Sequence, residues 1–511
     1  MKQIIHAPTF LISYQQWWAK DKPMGATDID FAALILRICS YATQFLPSPS
    51  HPIDQIRGRS LSDIRNTCSD TGCNLAKACE TLDWKGSLIR VQHIMFAALK
   101  VSCEGRTDQF WEGIASASRA AQKSGIHTDA TGPGESSISR QDSAKSLERE
   151  VQRRTFCSLY ALDSHLSRQL DRVPFLPDHL VAETLPQLRL IPDICNMPAD
   201  TIAGAPDIFH ERLVQVQLGR FWRKFGPRQN FKGDDPTECE QRYERFCAEW
   251  IPSLHAAFAI DRPDMTWDNA LPKLPMQRQL LHIAIFDSVC WNFRPLLFLK
   301  FNQIRSLAPY KQVLLQSQKC RIGMAALKEL EAVTTLHSMF GGSYTRFAAI
   351  IFNTFEAATL LLCLCTHADF LFNQGDDNTE VLGIKAKLTY RKAMQAAEQA
   401  VNRLQMLAEF SSMAASGARV AAQLFANTVQ VKQEQSPGPV APASSSVDSS
   451  WAPPYSTTIG IDEGQRQWPS LEQTDPVLMT DMFSSMAQED ADSRLRLSSL
   501  EYSMLLGGSG L

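Results

Sequence analysis

The residues of this 511-residue sequence with the most evident chemistry lie together in the stretch 145–174. Glu150 lies three and four positions before Arg153 and Arg154, which is the spacing at which side chains meet along one α-helix. Asp163 ends a run of apolar residues, and a buried carboxylate there needs a cation or several hydrogen-bond donors. The sequence therefore predicts a buried structural ionic network of these four residues. The alternative is a solvated helix edge with Asp163 at the surface.

Metal chemistry has little support in the cysteine pattern. Cys68, Cys73 and Cys79 do not have the intervals of a zinc site, and no basic helix lies beside them. A second set, Cys363, Cys365 and His367, lies in a helical pattern where steps of two point in different directions. We expect no metal site and no cofactor in this chain.

An all-α enzyme is the main rival hypothesis from a different class. The acidic runs 234–238 and 376–380 resemble in composition the magnesium-binding motif of terpene cyclases. Both runs follow a glycine in polar sequence, which is typical of turns and helix N-caps. Phosphate-binding glycine loops, nucleophile elbows and dinucleotide fingerprints are absent from the sequence. We expect no catalytic residues, and a terpene-cyclase-like enzyme stays as the enzymatic alternative.

Helical periodicity dominates the sequence around these residues. In the stretch 145–174, apolar residues recur every three to five positions and keep one helix face apolar. Similar patterns predict helices over 28–46, 60–84, 87–100, 108–124, 208–224, 239–258, 276–298, 319–336, 347–365 and 379–407. No strand-rich block interrupts them, so we predict an all-α fold built as one large multi-helix domain. The helix 347–365 contains Asn353 and Glu356, which indicates a buried core helix and not a membrane span.

Composition narrows the class of protein further. Hydrophobic residues make up 44% of the sequence, and its thirteen cysteines include no CxxC pair. The N-terminus lacks the layout of a signal peptide, so we expect an intracellular protein with reduced cysteines. The net charge is −3; residues 435–511 contribute ten acidic against three basic residues, or −7, which leaves about +4 for the rest. That excess is too small to predict direct nucleic-acid binding.

The composition changes near residue 431, and this divides the chain into a helical domain, 1–430, and a tail, 431–511. The tail is too poor in apolar residues to fold, so we predict that it is disordered. Within it, apolar residues interleave with acidic ones in the manner of activation segments that fold onto a coactivator. These apolar residues are Leu478, Met479, Met482, Phe483 and Met486. The alternative is an inert solvated tail. Lys432 fits a short pattern for SUMO attachment.

The order of residues in the central stretch resembles a known family signature. Glu150, Arg153, Arg154, Phe156, Tyr160, Asp163, Ser167, Arg172 and Pro174 match the pattern E-x-R-R-R, two aromatics, L-Y-x-L-D, S and G-R-P. That pattern is found in the fungal-specific transcription factor domain, the middle homology region of fungal zinc-cluster regulators. Gln152, Cys157 and the segment 171–174 depart from it.

Two further segments of the sequence carry the same resemblance. Gly125, His127 and Asp129 resemble the family element A-x-x-L-G-L-H-x-D, and Arg294 with Pro295 resembles a helix that closes on L-x-R-P. Gly125 is a candidate left-handed helix cap. No second metal ligand is spaced to assist His127, so we expect a structural role for its imidazole. The resemblance covers roughly residues 1–430.

The resemblance implies a nuclear transcriptional regulator of a metabolic or biosynthetic gene set, acting as a homodimer or as a heterodimer with a DNA-binding regulator. Zinc clusters of this family hold zinc with two C-x2-C-x6-C arms, which this sequence does not contain. We therefore expect indirect DNA contact, or contact through a missing N-terminal zinc cluster that an upstream exon encodes. Zinc is expected only in that case, and no membrane contact is expected. The alternative is a metabolite-sensing or sequestering module without DNA contact.

Overall fold

The computed structural model describes residues 4–21, 25–46, 53–128, 140–170, 172–178, 185–186, 204–226, 235–342, 345–367 and 379–435. The α-helices within them are α1 (Ala7–Trp18), α2 (Ala26–Ala42), α3 (Leu61–Leu82), α4 (Leu88–Cys103), α5 (Thr107–Ser124), α6 (Arg140–Gln169), α7 (His210–Phe225), α8 (Pro236–Arg245), α9 (Leu274–Phe293), α10 (Phe301–Ser306), α11 (Pro309–Met339), α12 (Ala348–Thr366), α13 (Tyr390–Ala408) and α14 (Ser412–Gln435). The strands form two short antiparallel hairpins, β1 (Gln55–Ile56) with β2 (Arg59–Ser60) and β3 (Thr379–Val381) with β4 (Ile384–Ala386). The all-α prediction is confirmed.

The helices bury three main apolar clusters. An N-terminal cluster joins α2, α4, α5 and α6, with Phe209 and Val216 from the start of α7. A second cluster joins α7, α8, α9, α11 and α12, and a third packs α13 and α14 against α11 and α12. The helix α6, which carries the central stretch, therefore lies where the N-terminal cluster meets the rest of the fold.

Two predicted helices differ from the structure in type, and a third, predicted over 319–336, begins earlier, at Pro309. The pattern over 239–258 is helical only as far as Arg245; a π-helical turn, Phe246–Trp250, and two short 3-10 turns follow. Pro252 has no backbone N–H to continue the α-helical hydrogen bonds. The segment 379–389 forms the β3–β4 hairpin instead of the start of a helix, because Leu382 and Gly383 take left-handed φ values of 51° and 82°. A two-residue hairpin turn requires this conformation.

Two glycines, one at a close helix contact and one at a helix end, shape the surroundings of α6. A Cβ on Gly219 of α7 would lie 2.8 Å from the Cβ of Ser164 on α6, so only glycine lets the two helices pack at this distance. The helix α5 ends, as predicted, at Gly125 with φ 74° and ψ 16°, in the left-handed region. These features place the charged end of α7 beside the middle of α6.

The helix α12 is the one described helix that is long and apolar enough to cross a membrane. The fold buries 83% of its most apolar window, which is what the core helix of a globular domain shows. The last helix, α14, extends to Gln435 and so crosses the predicted boundary at 430/431. Lys432 lies within this helix, and the predicted tail beyond it lies outside the described residues.

Candidate functional site

Asp163 lies at the centre of a buried network on α6. Its carboxylate is fully buried and accepts hydrogen bonds from the backbone N–H groups of Phe175 at 3.0 Å and Leu176 at 2.8 Å. The guanidinium of Arg223 donates to the same carboxylate at 3.0 Å. Burial raises the pKa of the Asp163 carboxyl, whereas these three donors act in the opposite direction. The carboxylate therefore fixes the turn after α6 and joins it to α7.

Arg223 contacts this turn at further points. It donates to the carbonyl oxygen of Leu176 at 2.6 Å and to the carboxylate of Asp178 at 3.0 Å. Its guanidinium also lies 4.3 Å from the centre of the Tyr160 ring, and the Tyr160 hydroxyl donates to Asp178 at 2.6 Å. Because one planar cation bonds to α6 and to the segment 172–178 together, its removal should release both.

Ser167, Arg172 and Pro174 complete the end of α6. The Ser167 hydroxyl donates to the backbone carbonyl of Asp163, and the Arg172 N–H donates to the Ser167 carbonyl at 2.9 Å. The Arg172 side chain lies 5.3 Å from the Trp111 ring centre and 3.6 Å from Asp108 on α5. The half-buried Pro174 leads into the residues that bond to Asp163. These family residues hold a turn, and none of them forms a nucleophile–base pair.

The structure divides the predicted four-residue network in two. Glu150 is fully buried and accepts from Arg154 at 2.7 Å, and Arg154 also reaches Asp207 at 3.3 Å. Asp163 lies about two and a half turns beyond Arg154 along α6 and pairs with Arg223. The side chain of Arg153 is half-buried. Arg154 therefore joins Glu150 of α6 to Asp207, and Asp163 belongs to a separate network.

The other predicted residues lie at separate places. His127 lies 3.4 Å from the backbone carbonyl of Ala121, is half-buried, and has its ring centre 6.2 Å from that of Phe156 on α6. Arg294 pairs with Glu356 at 3.0 Å, and Pro295 lies in the first turn of a 3-10 helix. The remaining predictions, on Asp129 and on the tail residues Leu478, Met479, Met482, Phe483 and Met486, lie outside the described residues.

A second acidic cluster lies next to Arg168 of α6. Asp287 on α9, Glu329 on α11 and Glu356 on α12 are all buried, and their carboxylate oxygens lie within 4.8 Å of one another. Arg168 donates to Asp287 at 2.5 Å, and Arg294 donates to Glu356 at 3.0 Å. Neither carboxylate oxygen of Glu329 has a hydrogen-bond partner among the described residues. We call these three residues the carboxylate triad.

The triad holds one carboxylate more than it has arginines. Burial and the neighbouring carboxylates raise the pKa of Glu329 well above its ordinary value. Burial and Asp287 also raise the pKa of Glu356, but Arg294 opposes that rise. We assign the proton to Glu329, because the two arginines contact the other two carboxylates. One proton neutralises the triad, so its charge balance does not need a divalent cation.

A cavity of about 680 Å³ lies between α6, the segment 172–178, α7, α9 and α12. Arg168, Arg172 and Arg223, which belong to the networks above, line it. Its apolar walls come from Phe175, Trp222, Trp291, Phe347, Leu280 and Ile283. The volume and the mixed lining are those of a small-molecule binding site.

Sequence reasoning missed the partners that complete these networks. Arg223 lies 60 positions after Asp163 in a basic helix end, and no local pattern marks it as the arginine that turns inward. Asp287 was detectable, because it ends an apolar run in the same way as Asp163 does. Glu356 lies in an equally apolar run. That run predicts that Glu356 is buried but does not indicate which residues it contacts. The three-way meeting of α9, α11 and α12 is a tertiary contact that no spacing encodes.

Comparison with known proteins shows which proteins this chain is similar to. Residues 2–189 match the family described as the fungal specific transcription factor domain. Transcription factor xilB of Penicillium rubens is 66% identical to the chain over 509 residues, which cover 99% of this chain and 75% of that protein. The chain belongs to the fungal specific transcription factor domain family. Probable transcription factor sol4 of Alternaria solani is 37% identical over 435 residues, 82% of this chain and 74% of that protein. No solved structure matches the chain.

Membership of the fungal specific transcription factor domain family fixes the class of function. The relatives are named transcription factors, so the chain is a fungal transcriptional regulator and not an enzyme. The family match covers the Asp163 network as far as residue 189, whereas α7 and the carboxylate triad lie beyond it. The signature that sequence analysis singled out is therefore a structural motif of a regulatory domain.

Proposed function

We propose that this chain is a nuclear regulator of the fungal zinc-cluster type that controls a metabolic or biosynthetic gene set. The observation that carries the proposal is the likeness to proteins named as transcription factors across about three quarters of their length. Nuclear action follows from the function that those names state. Genome-wide mapping of the tagged protein on chromatin tests it, because occupancy should concentrate upstream of the genes whose transcripts fall in a deletion strain.

DNA contact is the less direct part of this proposal. The sequence contains no pair of zinc-cluster arms, so we infer that the chain reaches DNA as a dimer with a DNA-binding regulator, or through a zinc-cluster segment outside the printed sequence. The chain alone should then shift promoter DNA weakly, with no preference for sequence. Co-expression with the partner should restore a specific shift. A tight, sequence-specific shift by the chain alone would contradict the partner hypothesis.

The tail is proposed to recruit a coactivator. Fused to a heterologous DNA-binding domain, residues 435–511 should raise reporter output, because apolar side chains among acidic residues dock on coactivator surfaces. The matched control replaces Leu478, Met482 and Phe483 by alanine and keeps every charge. Equal output from both fusions, or none from the native one, argues for an inert tail. SUMO attachment at Lys432 stays a prediction that Lys432→Arg would test by loss of a shifted band.

A second candidate function is metabolite sensing, and the cavity is the observation that favours it. The cavity is large enough for a small metabolite and is lined by residues of five separate elements. A ligand that contacts several elements would stabilise one arrangement of the domain over others. Sensing in this form is compatible with regulation of transcription, and ligand binding by the whole chain tests it as described below.

A further inference from the structure

The polar lining of the cavity is rich in hydrogen-bond donors. Five cationic side chains line it, against a single carboxylate, Asp178. The five are Arg168, Arg172, Arg212, Arg223 and Lys224. The partner carboxylates of Arg168 and Arg223, on Asp287 and Asp163, are buried and are not part of the lining. A bound molecule would therefore meet N–H groups far more often than carboxylates.

Two of these donors have no hydrogen-bond partner within the described ranges. They are the indole N–H of Trp222 and the Nε–H of Arg223, which are adjacent in α7 and both belong to residues that line the cavity. Trp222 is only 4% exposed, so water cannot easily satisfy its indole. Unpartnered buried donors are rare in folded proteins, and an acceptor on a ligand reaches these two only after the side chains that cover them shift.

One cation at the cavity is also not paired with a carboxylate. Lys224 is exposed, its ammonium lies 4.8 Å from the centre of the Phe225 ring, and no described carboxylate is within ion-pair distance of it. The four arginines of the lining do have such partners, in Asp108, Asp163, Asp178, Glu211 and Asp287. The five cations are thus matched in number by five carboxylates. Because Lys224 is the one cation of the five without a described carboxylate at ion-pair distance, the cavity suits a ligand with a single negative charge.

The rest of the lining is aromatic and aliphatic. Trp291 lies beside Trp222, with ring centres 5.8 Å apart, and Arg168 lies 5.6 Å from the Trp291 ring. Leu280 and Ile283 of α9 form a further apolar wall. Such walls favour a ligand with a flat or branched apolar body, since burial of that body supplies most of the binding free energy.

We propose that this cavity binds a small organic acid, with one carboxylate on an aromatic or branched aliphatic body. The carboxylate pairs with Lys224, which has no described carboxylate within ion-pair distance, and the body lies against Trp291 and α9. The regulatory role of this ligand rests on the proposed sensing function, whereas binding of the ligand to the cavity does not. Loss of tail activity in a reporter assay would leave it intact.

Calorimetric titration and thermal melting of the full chain test this proposal. The probes are indole-3-acetate, phenylacetate and 4-methylpentanoate, with indole-3-acetamide as the uncharged match and inorganic phosphate as the anion without a body. We expect at least one acid to bind and to raise the melting temperature, because it binds only the folded state. The amide should bind about tenfold more weakly than its acid, and phosphate should not bind measurably.

Variants locate the site. Ala284→Phe fills the apolar wall and should abolish binding, whereas Lys224→Ala should weaken it about fivefold. Lys123→Ala, an exposed lysine on α5, is the matched control and should bind like the native chain. If Ala284→Phe fails to fold, Arg172→Gln takes its place. Absence of binding by all three acids, or binding that neither Ala284→Phe nor Lys224→Ala weakens, would overturn the proposal.

Discussion

Two buried acidic sites lie side by side along α6, and they satisfy their charge differently. Asp163 is a single carboxylate met by an arginine and two backbone N–H groups. The carboxylate triad, reached through Arg168 five positions later, gathers three carboxylates around two arginines. At the first site three donors oppose the rise in the pKa of Asp163 that burial causes, whereas the second site holds one carboxylate more than it has arginines. Burial alone therefore does not decide whether a carboxylate is charged; the number of donors within reach does.

The largest expected effect comes from the well-satisfied site. Asp163→Ala leaves two buried N–H groups without an acceptor and removes the buried carboxylate that pairs with Arg223, and we expect a loss of about 3–5 kcal/mol in the free energy of unfolding. Chemical denaturation measures it. Asp261→Ala is the matched control, since that carboxylate is 66% exposed, and it should change stability by less than about 0.5 kcal/mol.

Removal of a cation from the triad should cost somewhat less and should depend on pH. Arg168→Met leaves Asp287 without its ion pair, and we expect a loss of about 3 kcal/mol at pH 8. At pH 5 the loss should shrink, because a second proton can then neutralise the triad. Arg119→Met, on the exposed face of α5, serves as the control. An equal loss at both pH values would mean that the triad does not take up protons.

Glu329→Gln should act in the opposite direction. The folded chain holds a proton on Glu329 that the unfolded chain releases above the ordinary pKa of 4.5, so native stability falls as pH rises from there toward the raised pKa. Glutamine keeps the neutral shape without this dependence. We expect a gain of ~1–2 kcal/mol at pH 8 and little change near pH 4.

Glu331→Gln provides the control for that experiment on the same helix. Its side chain is 65% exposed and pairs with Lys328 at the surface, so stability should not change at either pH. Destabilisation by Glu329→Gln at pH 8 would show that Glu329 is ionised and that the proton belongs elsewhere in the triad.

The smallest expected effect is at the edge of the Asp163 network. Tyr160→Phe removes the hydroxyl that donates to Asp178 but keeps the ring under Arg223, and we expect a loss of about 1 kcal/mol. Tyr310→Phe, at a residue that is 63% exposed, should be neutral. A loss as large as that of Asp163→Ala would place the main stabilising contact at Asp178 instead.

Local sequence patterns predicted most of the helices, but they predicted few of the contacts between side chains of different helices. The helix 108–124 and its glycine cap followed from periodicity and from the conformational freedom of Gly125, which are properties of neighbouring residues. The hairpin at 379–386 was missed, because the turn formed by Leu382 and Gly383 lies in a sequence that otherwise favours helix. Arg223 could not be assigned to Asp163, since the contact depends on how α7 packs on α6. Neither spacing nor composition contains that information.

The central claim is that the Asp163–Arg223 pair holds α6, the segment 172–178 and α7 together. The coupling free energy between these two residues tests this claim most directly. Asp163→Asn, Arg223→Met and the double variant, unfolded by denaturant, form the cycle. We expect the loss in the double variant to be smaller than the sum of the two single losses by about 2 kcal/mol or more. A coupling below about 0.5 kcal/mol would contradict this claim and would mean that other contacts hold the segment 172–178.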